Sequence, residues 1–154
     1  MAYPDQTKGG YLLTADRTKI DADAVHAFLT RCFWARGISR TLVEKSIAHS
    51  LCIGLFAGKA QVGFARVVTD YSTYAYLCDV YVLEEHRGRG LGVWMVDYVM
   101  RHPELQGLRR FQLVTRDAHG LYARFGFKPP PNPERQMEIF YPGLYAGETG
   151  PEGF

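Results

Sequence analysis

The chain has 154 residues, 47% apolar and 22% charged, and its 18 Lys and Arg against 16 Asp and Glu leave a net charge of only +2. That length suits one globular domain with a full core, and the near-neutral balance speaks against a protein held to nucleic acid by bulk positive charge. No apolar run approaches a membrane span and no signal peptide is visible at the start, so no membrane partner and a cytoplasmic setting are expected. Cys32, Cys52 and Cys78 stand far apart among apolar neighbours, read as free thiols of a reducing compartment, and offer no paired spacing for zinc.

Residues 1–9 are polar and expected to be loose, and Tyr11–Thr14 reads as a first short strand. Asp21 can cap a helix over 22–33 with Val25, Phe28, Leu29 and Cys32 on one face. Trp34-Ala35-Arg36-Gly37 breaks it, and Ser39 can cap a second helix over 40–49 whose stripe is Leu42, Val43 and Ile47. Leu51–Phe56, Gln61–Val68 and Tyr76–Val82 read as three strands of an antiparallel meander, turning at Gly58-Lys59 and at Asp70–Thr73. A helix over 90–101 is apolar on most sides, which predicts burial against a sheet, and Pro103 stops it. Phe111–Val114 must run parallel to Tyr76–Val82, because a helix crosses over between them. Asp117 can cap a short helix over 118–125 with Gly126 as its C′ residue. After the Pro129–Pro131 loop, Met137–Tyr141 is expected as a last strand, and the tail from Pro142 as irregular. The expected class is α/β: a single domain over 1–154, order β-α-α-β-β-β-α-β-α-β, with a mixed central sheet and helices on both faces.

The organising stretch is Glu85-His86-Arg87-Gly88-Arg89-Gly90-Leu91-Gly92, between a strand and an apolar helix. Glycines lacking Cβ let the backbone approach a ligand, and the unpartnered first N–H groups of the helix make an anion site that Arg87 and Arg89 reinforce. No P-loop run is present, and the Gly-x-Gly-x-Gly spacing, past the middle of the chain, is not the dinucleotide fingerprint. Arg87-Gly88-Arg89-Gly90-Leu91-Gly92 resembles the acyl-coenzyme A signature of the GNAT superfamily of N-acyltransferases, Arg/Gln-x-x-Gly-x-Gly/Ala, at every fixed position. Ala118-x-x-Leu121-Tyr122-x-x-x-Gly126-Phe127 resembles the family's later helix, and the likeness spans residues 50–127.

The resemblance implies an acetyl-coenzyme A-dependent N-acetyltransferase, in which a primary amine attacks the thioester directly in a ternary complex. It implies that Arg87, Gly88, Arg89, Gly90, Leu91 and Gly92 hold the cofactor phosphates. It also implies that Val80, Tyr81 and Val82, on a bulged strand splayed from its parallel neighbour, pair with the pantetheine arm. Tyr122 would be the general acid for the departing thiolate. Seven positions earlier the family has Asn; here Thr115 departs from it.

Asp79, between Cys78 and Val80, is the candidate base, directly or through water; a structural aspartate is the other reading. His119 is a weaker base candidate, and Glu84 and Glu85 are expected on an exposed loop. Trp34, Arg36, Tyr71 and Tyr74 could line the acceptor pocket. The acceptor, a small-molecule or peptide amine, is not specified by these residues, and a homodimer stays open. A non-catalytic acyl-coenzyme A-binding or sensor module is the alternative.

Overall fold

The computed structural model describes residues 2–148 and Gly150; residue 149 and residues 151–154, part of the tail expected to be irregular, lie outside them. Local caps set the helices. Asp21 accepts from the N–H groups of Asp23 and Ala24 to start α1 (Ala22–Leu29), and Ser39 accepts from Leu42 N–H to start α2 (Arg40–Ala48). α3 (Leu91–Met100) starts from Gly90, and α4 (His119–Ala123) is a short helix near the end of the patterned region.

The strands are β1 (Gln6–Lys8), β2 (Tyr11–Thr14), β3 (Leu51–Ala57), β4 (Ala60–Thr69), β5 (Tyr74–Val82) and β6 (Arg110–Leu113). They lie side by side in chain order in one sheet. All neighbours are antiparallel except β5 and β6, which the α3 crossover makes parallel. Alternation along the strands divides the core. Ile53, Leu55, Val67 and Leu77 meet Met95, Val96, Tyr98 and Val99 of α3 on one face. Cys52 and Phe64 meet Val25, Leu29, Val43 and Ile47 of α1 and α2 on the other. The mixed sheet with helices on both faces is the architecture expected. Among the described residues no helix is long and apolar enough to cross a membrane.

Five expectations need correction. Gln6–Lys8 is not loose but forms an edge strand, turned back on β2 by Gly9 and Gly10, both at positive φ (55° and 85°). α1 stops a turn early, at Leu29, because the chain then folds through tight turns that return Gly37 N–H to Thr30 O at 2.9 Å. Leu42 is not part of the buried stripe of α2 but 43% exposed. Asp117 does not cap α4; Thr115 Oγ accepts the Ala118 N–H instead, at 3.0 Å. Met137–Tyr141 is not a strand: among the described residues it pairs with no neighbour, and all five of its residues are exposed.

His102, 5% exposed, follows α3 and accepts the Glu104 N–H on Nδ1. Burial holds its pKa below the ordinary histidine value, so the fold favours the neutral ring. The unfolded chain takes up a proton near pH 6.5 where the folded chain does not, so this stability is complete above about 6.5 and declines as pH falls through it. The melting temperature should therefore drop between about pH 7 and about pH 5. His102→Asn, which keeps an acceptor at the turn, should remove most of that drop; thermal melts at both pH values check it.

Candidate active site

The site begins with an irregularity in β5. Arg66 of β4 pairs with Cys78 and Phe64 pairs with Tyr81, so β5 carries one residue more than its partner over this interval. This is a β-bulge, and Asp79 takes the left-handed conformation at φ 52°. Among non-glycine residues Asp tolerates that region better than most. Its carboxylate is tied on both sides. Oδ2 accepts from Arg66 Nε at 2.8 Å, and Oδ1 accepts from Trp34 Nε1 at 2.9 Å. Arg66 in turn donates to Ser50 Oγ at 3.1 Å. The bulge thus bends β5 and turns Asp79 toward the α1/α2 face.

The second step is a splay. Pairing of β5 with β6 ends at Leu77 and Leu113, while β5 continues to Val82. The gap is a cleft of about 460 Å³, walled by Val80, Tyr81 and Val82 on one side and by Ala118, Leu121 and Tyr122 on the other. The glycine loop closes its end. Gly88 and Gly90 sit at φ 79° and 75°, where glycine is unstrained. The first helical bond of α3 is Trp94 N–H to Gly90 O, so the N–H groups of Leu91, Gly92 and Val93 have no partner within the helix. A Cβ added at Gly88, Gly90 or Gly92 would meet nothing within 4 Å. The loop therefore presents bare backbone donors to open space at the positive end of a helix dipole, a fit for pyrophosphate oxygens.

Tyr122 is 9% exposed, lines the cleft and packs edge-on against Phe127 with centroids 6.0 Å apart. Burial raises its pKa above the ordinary phenol value. At neutral pH the hydroxyl is protonated and can give a proton rather than take one. Gly126 at φ 94° ends α4, and Phe127 N–H returns to Tyr122 O at 3.3 Å, so the tyrosine is held from both sides.

The structure brings together most of the candidates but not all. Val80, Tyr81, Val82, Arg87, Gly88, Gly90, Leu91, Gly92 and Tyr122 line the cleft. Arg87 is partly committed, donating from Nε to Val82 O at 2.8 Å, and Arg89 is exposed and not part of the lining. Trp34 donates to Asp79 and is not part of the cleft lining. Arg36 is exposed, and Tyr74 donates to Gln112 Oε1 at 2.7 Å, across to β6. Tyr71 belongs elsewhere: it lines a second cleft of about 1100 Å³ with Tyr3, Arg17 and His102, beyond the other end of β5. His119, Glu84 and Glu85 are exposed. Sequence reasoning passed over His86, which lines the cleft and is bonded through Nδ1 to Tyr11 OH at 2.8 Å. Its place inside the glycine motif was the available signal.

Residues 22–127 match the sequence model of the Acetyltransferase (GNAT) family. The chain belongs to the GNAT acetyltransferase family. A curated relative from Gibberella zeae, named as acetyltransferase FG08082, is 32% identical over 141 residues, covering 77% of this chain and 78% of its own. A crystal structure of a GNAT-family acetyltransferase from Xanthomonas campestris pv. campestris is 50% identical with a TM-score of 0.87, covering 91% of this chain and 99% of that one. An acetyltransferase from Clostridium acetobutylicum, solved with acetyl-coenzyme A, shares the fold at 15% identity, with a TM-score of 0.61 over 84% of this chain and 94% of its own. Acyl transfer is accordingly the function class of this GNAT chain. Thr115, which departs from the family's asparagine, has a structural task here in holding the first turn of α4.

Proposed function

We propose that the chain is an acetyl-coenzyme A-dependent N-acetyltransferase acting on a primary amine by direct attack in a ternary complex. The observation that carries this reading is the continuous surface from the splayed backbone of Val80–Val82 to the bare donors of Leu91–Val93, with Tyr122 facing it. The Clostridium acetobutylicum neighbour, which shares the fold and was solved with acetyl-coenzyme A, supports that choice of acyl donor.

Bound acetyl-coenzyme A supplies an activated thioester. The loop amides and Arg87 hold its phosphates, and the unpaired edge of β5 takes the pantetheine arm by strand-like pairing. A backbone N–H of the Val80–Val82 stretch donates to the carbonyl oxygen as charge develops there. The amine enters from the α1/α2 face, past Trp34, on the opposite side of β5 from α3. Its nitrogen bonds to the acetyl carbon as the carbon–sulfur bond breaks. Tyr122 gives its proton to the departing sulfur. Asp79 takes the amine's proton, directly or through water, and Arg66 and Trp34 keep its carboxylate oriented. The Tyr122 hydroxyl at the cleft wall favours catalysis over a purely sensing module, which would need no proton donor there.

Asp79→Asn keeps the shape and removes the charge, leaving the Arg66 guanidinium without its counter-ion. Turnover should fall by about 10²-fold or more. The dissociation constant for acetyl-coenzyme A should change little, because Asp79 does not line the cleft. Normal turnover in a folded Asp79→Asn protein would make Asp79 a holder of the bulge and nothing more. The function itself is tested by release of free thiol from acetyl-coenzyme A across a panel of small amines, amino acids and peptides. Amine-dependent release is expected for at least one class; saturable acetyl-coenzyme A binding with no release for any amine would favour the sensor reading.

A further inference from the structure

The second cleft, of about 1100 Å³, lies at the end of the sheet where β3 and β5 begin, and acyl transfer uses none of it. Separate segments enclose it: the N-terminal arm from Ala2 to Asp5, the turn before α1, the start of β3, Tyr71, and the stretch from His102 to Glu104 after α3. The arm is tied down over it. Tyr3 OH donates to Tyr98 O at 2.9 Å, and Tyr98 OH donates to Pro4 O at 3.1 Å. Some of the charges at the rim are already satisfied. Lys19 pairs with Asp5 at 2.8 Å, and Asp16 accepts from the N–H and the hydroxyl of Thr18.

Other polar groups of the cleft are not. His102 is 5% exposed, and its Nδ1 accepts the Glu104 N–H at 3.2 Å, which leaves the neutral ring's proton on Nε2. Among the described residues this Nε2–H meets no acceptor, and a buried donor is ordinarily satisfied. The Tyr71 hydroxyl has no partner among them either. Burial raises its pKa, the charge of Glu104 adds to the rise and that of Arg17 opposes it, so a carboxylate and a guanidinium both stand near this oxygen. Arg17 and Glu104 form no ion pair with each other, nor with any other described residue. Arg17 is fixed in place by donating to Ala48 O and Ser50 O at 2.9 and 3.0 Å. The cleft therefore keeps one cation and one anion apart, with two neutral donors beside them.

We propose that this cleft is a second ligand site, built for a free amino acid with an aromatic side chain. Its carboxylate goes to Arg17, the His102 Nε2–H and the Tyr71 hydroxyl, and its ammonium goes to Glu104. Its ring lies against the apolar wall of Tyr3, Pro4, Leu51 and Pro103. A zwitterion answers both separated charges at once, where a simple anion would leave Glu104 facing it and a simple cation would face Arg17. Tyr3 is set for this wall, its ring 4.7 Å from that of His102 and 4.4 Å from that of Tyr98. Tyr71 is held in place by a left-handed backbone, φ 59°, in a turn where Asp70 accepts the N–H groups of Ser72, Thr73 and Tyr74. β5 separates this site from the acyl-transfer cleft by about 25 Å, so its ligand is not the acyl acceptor.

The test is a titration of the full chain with L-phenylalanine, read at the site from the carbon-bound ring proton of His102 by NMR. Two further probes each lack one charge: 3-phenylpropionate has no ammonium and 2-phenylethylamine no carboxylate. L-phenylalanine should shift the His102 signal saturably below about 10 mM, and each of the other two should bind there about 10-fold more weakly or worse. Glu104→Gln changes an exposed side chain without an ion-pair partner, and Tyr71→Phe keeps the ring, so both variants should fold. Each should weaken L-phenylalanine at His102 by about 10-fold while acetyl-coenzyme A affinity stays unchanged. No saturable shift up to about 10 mM would overturn the proposal. Equal binding of the three probes at His102 would do the same, as would a shift indifferent to both substitutions.

Discussion

Gly92→Val should lower acetyl-coenzyme A affinity by about 100-fold or more while the protein stays folded. Gly92 lies in the first turn of α3, at an ordinary helical φ, and a Cβ there meets no protein atom within 4 Å. Valine is no worse than glycine as a helix residue, so the fold has no reason to object. A ligand does: its phosphates would need the space the side chain fills and would lose the unpartnered N–H groups behind it. Charge-assisted hydrogen bonds contribute about 1.5–3 kcal/mol each, so losing one or two sets the scale. Gly90 is a poorer choice, because its φ of 75° would strain any other residue and mix a folding cost with a binding cost. Calorimetry decides: unchanged affinity in a folded Gly92→Val protein would remove the glycine loop from the binding site.

Tyr122→Phe should reduce turnover by about 10²–10⁴-fold, the usual contribution of a positioned general acid. The ring contacts with Phe127 and the α4 backbone remain, so the melting temperature and acetyl-coenzyme A affinity should change little. The phenol, raised by burial, stays protonated well past neutral pH, so the loss should persist across the neutral range instead of tracking a titration. Full turnover in the Phe variant would reduce Tyr122 to packing. An early melt with unchanged turnover would assign the hydroxyl to a structural hydrogen bond.

What could be read from the sequence was what local chemistry determines. Asp21 and Ser39 cap their helices, Gly126 ends α4, and the glycines of 88–92 mark the strand-to-helix turn; each needs only its neighbours to act. The bulge at Asp79 was different. Its left-handed backbone is held by Arg66, thirteen residues earlier, and by Trp34, forty-five residues earlier, and neither contact leaves a mark in the local pattern. That Tyr71 lines the second cleft was illegible for a related reason: the aromatic character of a turn says nothing of which end of the sheet it covers. β1 is polar because it is an edge strand, so no apolar alternation announced it. Met137–Tyr141 shows the reverse failure, strand propensity without a pairing partner among the described residues.

The central claim, that the gap between β5 and β6 is where acetyl-coenzyme A is held, is tested most directly by amide hydrogen exchange of the full chain with and without acetyl-coenzyme A. Protection should rise in the peptides carrying Val80–Val82 and Gly88–Val93, with a smaller effect over Leu121–Tyr122. Protection confined to the second cleft, in peptides carrying Tyr3, Arg17, Tyr71 and His102, would contradict it, as would no change at saturating ligand.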